Sequence, residues 1–245
     1  MKVIPLQEGQ FTIDQSKQFI PVANRREQSG PLPGGSLLVD IQPFVVVTEK
    51  DILLLDTGLG LEEQGALQLH HHLLDQGIQP AQVTKVLLTH LHKDHAGGVC
   101  HRSPTGIQEL AFPAAQYYVQ KQEFITAMSQ RSASYEQESL ACLSAHPSVV
   151  FLEGDGFIDN SIRYQLTGAH SPFHQVFWIS EQGHTLFFGG DEAPQLQQMK
   201  SRYIAKYDFN GRKSMELRQQ WWAQGQREGW AFLFYHDTRY PVYPE

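Results

Sequence analysis

The chain has 245 residues, of which 41% are hydrophobic, and its 26 acidic and 19 basic residues give a formal net charge of −7. A chain of this length and composition can bury the core of one large α/β domain or of two small ones. The acidic balance disfavours nucleic acids as partners, because nucleic-acid binding depends on lysine and arginine contacts to phosphates.

Hydrophobic patterning predicts strands separated by helices in the first half of the chain. The elements predicted there are, in chain order, strands at Ser36–Val47 and Asp51–Asp56, a helix at Glu62–Gln76 and a strand at Val83–Thr89. Gly77 is the expected stop of the helix. The stretch 114–145 is predicted to be largely helical.

The second half repeats this arrangement. Strands are predicted at Val149–Leu152, Ile162–Thr167, Gln175–Ile179, Thr185–Gly189 and Ala231–Tyr235. A hairpin turn is predicted at Gln182 and Gly183. A helix at Arg212–Gln224 precedes the last strand, and its Trp221 and Trp222 are expected to pack the helix onto a sheet. Strands gathered in each half, with helices between them, suit two facing sheets covered by helices.

The segment Thr89–Gly98 carries three histidines and one aspartate within six residues. Side chains at i and i+2 of an extended chain point the same way, so His90 and His92 can bind one cation. Asp94 and His95 follow after a turn and can face a second cation. Imidazoles and carboxylates suit a divalent ion, of which zinc is the usual choice.

The consecutive histidines 70–72 are interpreted differently. They fall on a predicted helix, where neighbouring side chains point about 100 degrees apart, so they cannot converge on one ion. We expect them to be surface or partly buried residues without a metal.

The pattern H-x-H-x-D-H resembles the signature of the metallo-β-lactamase fold superfamily. Four further positions match in the order of that family: Asp56 in an early D-T-G, His170 in a loop after a strand, Asp191 after an apolar strand, and His236 after the last apolar strand. The resemblance implies an α/β fold, the αββα four-layer sandwich. It also implies that residues 1–245 form one hydrolase domain built from two similar halves, with the site at the seam.

The resemblance also implies the metal ligands. Seven residues would bind two ions: His90, His92 and His170 at the first, Asp94, His95 and His236 at the second, and Asp191 as the bridge. Asp56 would orient a ligand histidine. The expected cofactors are two divalent ions per chain, zinc in the first place and manganese or iron(II) as alternatives. Two cations bring the pKa of a bound water from about 15.7 to about 7, so a metal-bridging hydroxide would attack a carbonyl or phosphoryl centre. Asp94 would be catalytic by passing the proton to the leaving group.

The stretch from Asp191 to Asp237 resembles quorum-quenching lactonases, which hydrolyse N-acyl-homoserine lactones. This resemblance implies a zinc-dependent hydrolase acting on the ester bond of a small-molecule lactone. One departure is Pro194, because the lactonases place a tyrosine three residues after the bridging aspartate; Tyr203 or Tyr207 is a candidate substitute. The alternatives are a thioesterase of the glyoxalase II type, a phosphodiesterase, and a non-catalytic metal-binding regulatory effector.

The sequence also sets expectations for compartment and partners. Residues 1–8 lack the apolar core of a secretory signal, and no run approaches the roughly 18 apolar residues that span a bilayer. The two cysteines, Cys100 and Cys142, are expected to be a reduced pair in a cytoplasmic protein, with Cys100 in a structural role. No membrane partner is expected, a homodimer is compatible with the sequence, and the role of His174 is open.

Overall fold

The fold is built from short strands and a few helices. The computed structural model describes residues 1–22, 36–102, 106–144 and 146–244. Its strands are β1 (Lys2–Pro5), β2 (Gly9–Ile13), β3 (Ile20–Pro21), β4 (Leu37–Ile41), β5 (Phe44–Val47), β6 (Ile52–Leu55), β7 (Glu62–Glu63), β8 (Ala66–Leu67), β9 (Lys85–Leu87), β10 (Cys100–Arg102), β11 (Gln108–Leu110), β12 (Gln116–Gln120), β13 (Val149–Leu152), β14 (Gly156–Phe157), β15 (Ile162–Leu166), β16 (Gln175–Glu181), β17 (His184–Phe188), β18 (Ala231–Leu233) and β19 (Val242–Tyr243). Its α-helices are α1 (Gln68–Asp75), α2 (Lys93–Ala96), α3 (Lys121–Ser129), α4 (Gln137–Leu140), α5 (Leu196–Lys200) and α6 (Gly211–Glu228).

Two six-stranded sheets dominate the structure. The first has the strand order β1-β5-β6-β9-β12-β13, and the second has the order β14-β15-β16-β17-β18-β19. In the first sheet β6, β9, β12 and β13 run parallel to one another, and β5 is antiparallel to β6. In the second sheet β15 and β17 are both antiparallel to β16, and β18 is parallel to β17. Strands β15, β17 and β18 therefore run in the same direction and end at the same edge.

The two sheets pack face to face, and helices cover their outer faces. In β6, Leu53 and Leu55 join the core between the sheets, whereas Leu54 joins the core on the outer side. This alternation follows from the two-residue period of a strand. In β17, Phe188 points to the core between the sheets and Phe187 to the core under α6. The αββα four-layer sandwich is therefore confirmed.

The two tryptophans of α6 pack as expected. The ring centroids of Trp221 and Phe187 are 4.9 Å apart, and those of Trp222 and Phe232 are 5.2 Å apart.

The ends of α6 are set by Asn210 and Gly229. The side chain of Asn210 accepts a hydrogen bond from the backbone N–H of Lys213, and Gly229 ends the helix in the left-handed conformation at φ 69°. Both are common end signals, and they extend the predicted helix by a few residues.

The helix predicted at Glu62–Gln76 is wrong in its first half. Residues 62–67 form the two short strands β7 and β8, and α1 begins only at Gln68. Gln64 and Gly65 between these strands have φ values of 53° and 82°. Positive φ values make a turn and interrupt a right-handed helix.

The prediction of a largely helical stretch at 114–145 is wrong at β12. Tyr117, Tyr118 and Val119 are residues that favour strands, and they run parallel between β9 and β13. Helices α3 and α4 follow as expected, and residue 145 lies outside the described residues. The strand predicted at Ser36–Val47 is broken at Gln42–Pro43 into β4 and β5, which belong to different sheets. The proline has no N–H for a strand ladder.

The expectation of a reduced cysteine pair is also wrong. Cys100 in β10 and Cys142 form a disulfide, with their Cα atoms 6.1 Å apart. The short helical turn Ala141–Leu143 packs against β10 and β11 and brings the two residues together. The structural role predicted for Cys100 agrees with this bond, whereas the cytoplasmic location stays a prediction. Across the described parts of the chain, no helix is long and apolar enough to cross a membrane.

Candidate metal centre

The predicted ligands come together at one edge of the sandwich, where strands of both sheets end. His170, Asp191 and His236 follow β15, β17 and β18, whose shared direction brings their carboxyl ends to the same edge. The segment after β9 carries the other four predicted ligands: His90, His92, Asp94 and His95. Gln175 joins the two sheets here, because its backbone N–H and its Nε2 donate to the carbonyls of Thr89 and Leu88. The site therefore lies at the seam.

The turn within the histidine-rich segment is the one-turn helix α2. His92 is extended, at φ −61° and ψ 147°, and the helix starts at the next residue. Extended backbone before this point and helical backbone after it send the side chains of His90 and His92 one way and those of Asp94 and His95 another. The two pairs accordingly fall into different groups.

The seven residues form two groups. Within each group, the ligand atoms lie within 4.8 Å of one another. One group is His90, His92, His170 and Asp191, and the other is Asp94, His95 and His236. The Asp191 carboxylate stands between them. Its Oδ2 lies 3.1 Å from His170 Nε2, and its Oδ1 lies 3.1 Å from His95 Nε2 and 2.9 Å from His236 Nε2. Each carboxylate oxygen thus faces a different group.

Hydrogen bonds on the far side of each ring orient three of these histidines. His95 Nδ1 lies 2.8 Å from Asp56 Oδ2, His170 Nδ1 lies 2.9 Å from Asp208 Oδ1, and His236 Nδ1 lies 2.7 Å from the carbonyl oxygen of Asp40. In each pair Nδ1–H is the donor, because a carboxylate or carbonyl oxygen only accepts. In the neutral imidazole this arrangement leaves each Nε2 with a lone pair directed at the centre, which suits a metal ligand.

The surroundings of His90 fit a bound cation. Its Nε2 is buried and has no hydrogen-bond partner among the described residues, although buried polar atoms are normally paired. Burial, followed by the nearby imidazole of His95, lowers the pKa of His90 well below 6.5. A neutral imidazole with an unshared lone pair, packed 4.4 Å from the ring of His92, is the donor that a zinc-type ion requires.

Asp56 supports the centre as expected of the early aspartate. Besides His95, it accepts hydrogen bonds from the backbone N–H of Thr89 at 2.7 Å and from its hydroxyl at 2.8 Å. The carboxylate therefore fixes the start of the histidine segment and the ring of one ligand together.

Tyr235 is a supporting residue that the sequence did not indicate. Its ring stacks on His95 with centroids 4.1 Å apart, and its hydroxyl donates to the carbonyl of Asp94 at 2.6 Å. Preceding His236 in an apolar strand, it had the pattern of an ordinary core residue.

Two buried glutamates also tie the ligand loops together and escaped prediction. Glu123 accepts hydrogen bonds from the backbone N–H of Leu91 and the hydroxyls of Tyr135 and Ser171, each at 3.1 Å. Oε1 of Glu192 accepts hydrogen bonds from three donors of the loop before His170: Thr167 Oγ1 at 2.8 Å, Ala169 N–H at 2.9 Å and His170 N–H at 2.8 Å. Isolated acids on a predicted helix or loop normally indicate solvent exposure, so no sequence signal marked them.

His174, whose role was open, is a buried neighbour of the centre and belongs to neither group. Its Nε2 accepts a hydrogen bond from the backbone N–H of Asp191 at 3.2 Å. It therefore helps to place the Asp191 loop. The histidines 70–72 lie on α1 outside both groups, as expected.

The two candidate tyrosines, Tyr203 and Tyr207, and the nearby Phe173 and Pro194 differ in exposure. Tyr207 is 36% exposed, and its ring centroid lies 6.1 Å from that of His170. Tyr203 is 41% exposed, and Phe173 is half-buried. Pro194 is buried, and its carbonyl accepts a hydrogen bond from the backbone N–H of His236 at 3.0 Å. Pro194 thus supports the loop that carries His236, and Tyr207 lies beside His170.

Glu8 is a buried acid close to the centre. Its Oε2 accepts a hydrogen bond from the backbone N–H of Leu59 at 2.6 Å, and its Oε1 has no partner among the described residues. Burial raises the pKa of Glu8 from 4.5 to about 8, and the negative charge of Asp94 acts in the same direction. The folded, metal-free protein therefore holds a proton on Glu8 that the unfolded chain releases above about pH 4.5.

This raised pKa predicts a pH-dependent stability. Between pH 4.5 and 8 the folded state binds more protons than the unfolded state, so the free energy of unfolding falls as the pH rises. Replacing Glu8 with glutamine should remove this contribution and stabilise the metal-free protein at pH 8.5, by at most about 5 kcal/mol. Urea unfolding at pH 5.5 and 8.5 measures the difference. The exposed Glu153→Gln is the control, and a Glu8→Gln variant with the wild-type pH dependence would refute the prediction.

Comparison with known proteins agrees with this fold. An αββα sandwich with two groups of histidines and aspartates at the seam between its sheets is typical of metal-binding α/β proteins. The family model of the metallo-beta-lactamase superfamily matches residues 39–212, and the chain belongs to this superfamily. The N-acyl homoserine lactonase of Bacillus thuringiensis is 24% identical over 170 residues, which cover 61% of this chain. The chain spans 62% of the length of that curated relative.

Solved structures share the fold over nearly the whole chain. A probable metal-dependent hydrolase from Staphylococcus aureus gives a TM-score of 0.77 at 21% identity, covering 98% of this chain and 91% of that chain. AidC, a dizinc quorum-quenching lactonase in complex with the product N-hexanoyl-L-homoserine, gives a TM-score of 0.72 at 19% identity, covering 98% and 88%. At such identities, the likeness shows the fold alone.

Proposed function

We propose that the protein is a dinuclear metal-dependent hydrolase that opens the ring of an N-acyl-homoserine lactone or a closely related small lactone. The observation that carries the proposal is the position of the Asp191 carboxylate, whose two oxygens face two separate groups of ligand atoms. The seven ligands are those expected from the sequence, and zinc is the proposed metal because imidazole and carboxylate donors suit it. We also propose that residues 1–245 form one hydrolase domain.

The chain's own residues define the chemistry of the centre. Two divalent cations bound there would supply hydroxide at neutral pH and offset the negative charge that develops on a carbonyl oxygen. His90, His92 and His170 would hold one cation, and His95 and His236 would hold the other with Asp94. The buried Asp191 carboxylate sets the spacing between the groups and offsets part of their positive charge.

Asp94 is the proposed catalytic residue. Its Oδ2 lies 3.6 Å from His95 Nε2 and 3.5 Å from His236 Nε2, and its side chain is 11% exposed. The side chain therefore faces His95 and His236 and is not fully enclosed. A carboxylate there can take up a proton and pass it to the alkoxide that leaves when a lactone opens.

The segment beside His170 supports an apolar acyl chain as part of the substrate. Tyr203, Ile204, Tyr207 and Phe209 are exposed apolar or aromatic residues within seven positions. An apolar rim beside a polar centre suits a ligand with a reactive polar head and a hydrocarbon tail. Tyr207 Oη accepts a hydrogen bond from Gln198 Nε2 at 3.3 Å, which leaves its O–H to donate to a substrate carbonyl. We therefore assign to Tyr207, rather than Tyr203, the role of the tyrosine that Pro194 replaces.

The relatives support the same substrate class. The curated relatives are N-acyl homoserine lactonases, and AidC binds an N-acyl-homoserine product. No described cluster of basic residues marks a site for a phosphodiester or a glutathione carboxylate, so neither alternative gains an observation of its own.

A hydrolysis panel tests the proposal. Zinc- and manganese-loaded protein is incubated with lactones of several chain lengths, a thioester, a phosphodiester and a β-lactam in a weakly buffered indicator assay. Ring opening releases a proton at neutral pH, so we expect a signal with the lactones and much slower turnover of the others. Efficient cleavage of the thioester or phosphodiester without any lactone opening would disprove the lactonase function.

Matched histidine variants link turnover to the centre. His236→Ala removes a proposed ligand and should abolish lactone opening, whereas His184→Ala, at an exposed hairpin position, should keep it. If the metal-loaded wild type turns over none of the four classes, the protein is a binder rather than a hydrolase.

A further inference from the structure

Asp208 is a buried carboxylate beside the centre. Its side chain is 1% exposed, and its Oδ1 lies 2.9 Å from Nδ1 of His170. We propose that Asp208 is the positioning residue of His170, and that Arg218 anchors residues 203–210, the segment that carries Asp208. Asp208 then controls metal binding at one of the two groups. The inference rests on the proposed function, because it takes His170 as a ligand.

Backbone contacts place Asp208 independently of its own side chain. The N–H of Phe209 donates to the carbonyl of His170 at 3.0 Å, and the N–H of Asn210 donates to the carbonyl of Ala169 at 2.7 Å. Two consecutive residues after Asp208 are thus paired with two consecutive residues of the ligand loop. The carboxylate meets the imidazole because these two pieces of chain run together.

Arg218 holds the other end of this segment. It is fully buried on α6, and its guanidinium donates to the carbonyls of Tyr203 and Glu192 and to the hydroxyl of Ser214. The contact with Tyr203 fixes the start of the segment, and the contact with Glu192 fixes the turn that carries Asp191. One buried cation therefore links the Asp208 segment to the loop of the bridging carboxylate.

The hydrogen bond from His170 Nδ1 to Asp208 Oδ1 has a specific consequence for the imidazole. A carboxylate accepts the Nδ1 proton, which fixes the tautomer and the ring plane and makes the opposite nitrogen a better donor. That opposite nitrogen, Nε2, lies 3.2 Å from His92 Nδ1 and 3.1 Å from Asp191 Oδ2. Asp208 therefore acts on the group that contains His90 and His92.

The histidines of the second group, His95 and His236, are oriented by other residues. His95 depends on Asp56, and His236 depends on the carbonyl of Asp40. Loss of the Asp208 carboxylate should consequently weaken one metal and spare the other. Because Tyr207 precedes Asp208, a substrate that contacts this tyrosine would also contact the segment that positions His170.

Metal binding to Asp208 variants tests the inference. Wild type, Asp208→Ala and Asp208→Asn are prepared metal-free, and zinc is titrated against a chromophoric chelator. We expect Asp208→Ala to bind one ion as the wild type does and the other about 10–100-fold more weakly. Asp208→Asn keeps an acceptor oxygen and should recover part of the affinity. Asp159→Asn, at a turn where Asp159 bonds to Ser161, is the matched control and should bind both ions normally.

A second readout separates positioning from a general structural role. The visible spectrum of the cobalt-substituted protein should change in Asp208→Ala at one of the two bound equivalents. Wild-type affinity and spectrum in both Asp208 variants would overturn the inference, and so would equal weakening of both ions. A wild-type protein that binds fewer than two ions would instead contradict the proposed function, so the two failures are distinguishable.

Discussion

Replacing Asp191 with asparagine is expected to lower kcat/KM by on the order of 100-fold or more and to weaken the binding of at least one metal. The reason is electrostatic, since asparagine keeps the shape of the side chain and removes its negative charge. In the wild type, the two carboxylate oxygens face His170 on one side and His95 and His236 on the other. Loss of even an outer hydrogen-bonding partner of a metal ligand costs about 10–100-fold, so loss of the bridge itself should cost more.

The measurement combines steady-state kinetics, elemental analysis and circular dichroism. Asp159→Asn makes the same chemical change at a surface turn and should retain activity and both metals. The fold of Asp191→Asn should persist, because the apolar cores do not include residue 191. Normal activity of Asp191→Asn with both metals bound would show that the bridge is misassigned.

Metal removal is expected to have the largest effect of all, a fall of lactone opening to the uncatalysed rate. The described residues of the centre are histidines and carboxylates gathered in two groups that could each hold a metal ion, so the proposed nucleophile is a water activated by the metals. Activity should return on addition of zinc or manganese, and the melting temperature should rise with metal concentration, because the proposed ligands are brought together only in the folded state. Undiminished turnover after exhaustive chelation would contradict the metal-dependent mechanism.

Much of the centre could be predicted because its ligands carry a local signal. His90, His92, Asp94 and His95 lie within six residues, and the change from extended chain to helix α2 divides them into the two expected pairs. His170, Asp191 and His236 each follow an apolar strand, and the parallel direction of these strands brings them to one edge. Resemblance to a known family supplied the pairing of these distant positions.

The supporting residues could not be predicted, because their roles depend on contacts between distant segments. Asp208 and Glu123 are single acids without a neighbouring motif. Asp208 lies 38 residues from its partner His170, and Glu123 lies 32 and 48 residues from its partners Leu91 and Ser171. Tyr235 had the pattern of a core aromatic residue. Only the packed structure shows that its ring lies on His95, a candidate ligand.

The errors in secondary structure have equally local causes. The hydrophobic patterning of residues 62–76 favoured a long helix, but Gln64 and Gly65 adopt positive φ values that end any helical path there. The strand Gln116–Gln120 lies between two parallel neighbours, and such a buried strand lacks the alternation that marks an exposed one. The Cys100–Cys142 bond required two segments 42 residues apart to meet, which composition does not reveal.

The central claim is that one chain holds two metal ions at a shared carboxylate. Titration of metal-free protein with zinc, followed by elemental analysis and by lactone opening on the same samples, tests it most directly. We expect bound metal to saturate close to two equivalents, because seven candidate ligands lie together where one ion needs about four. Saturation at one equivalent, with Asp94 and His95 unliganded in a crystal structure of the metal-replete protein, would contradict the dinuclear account.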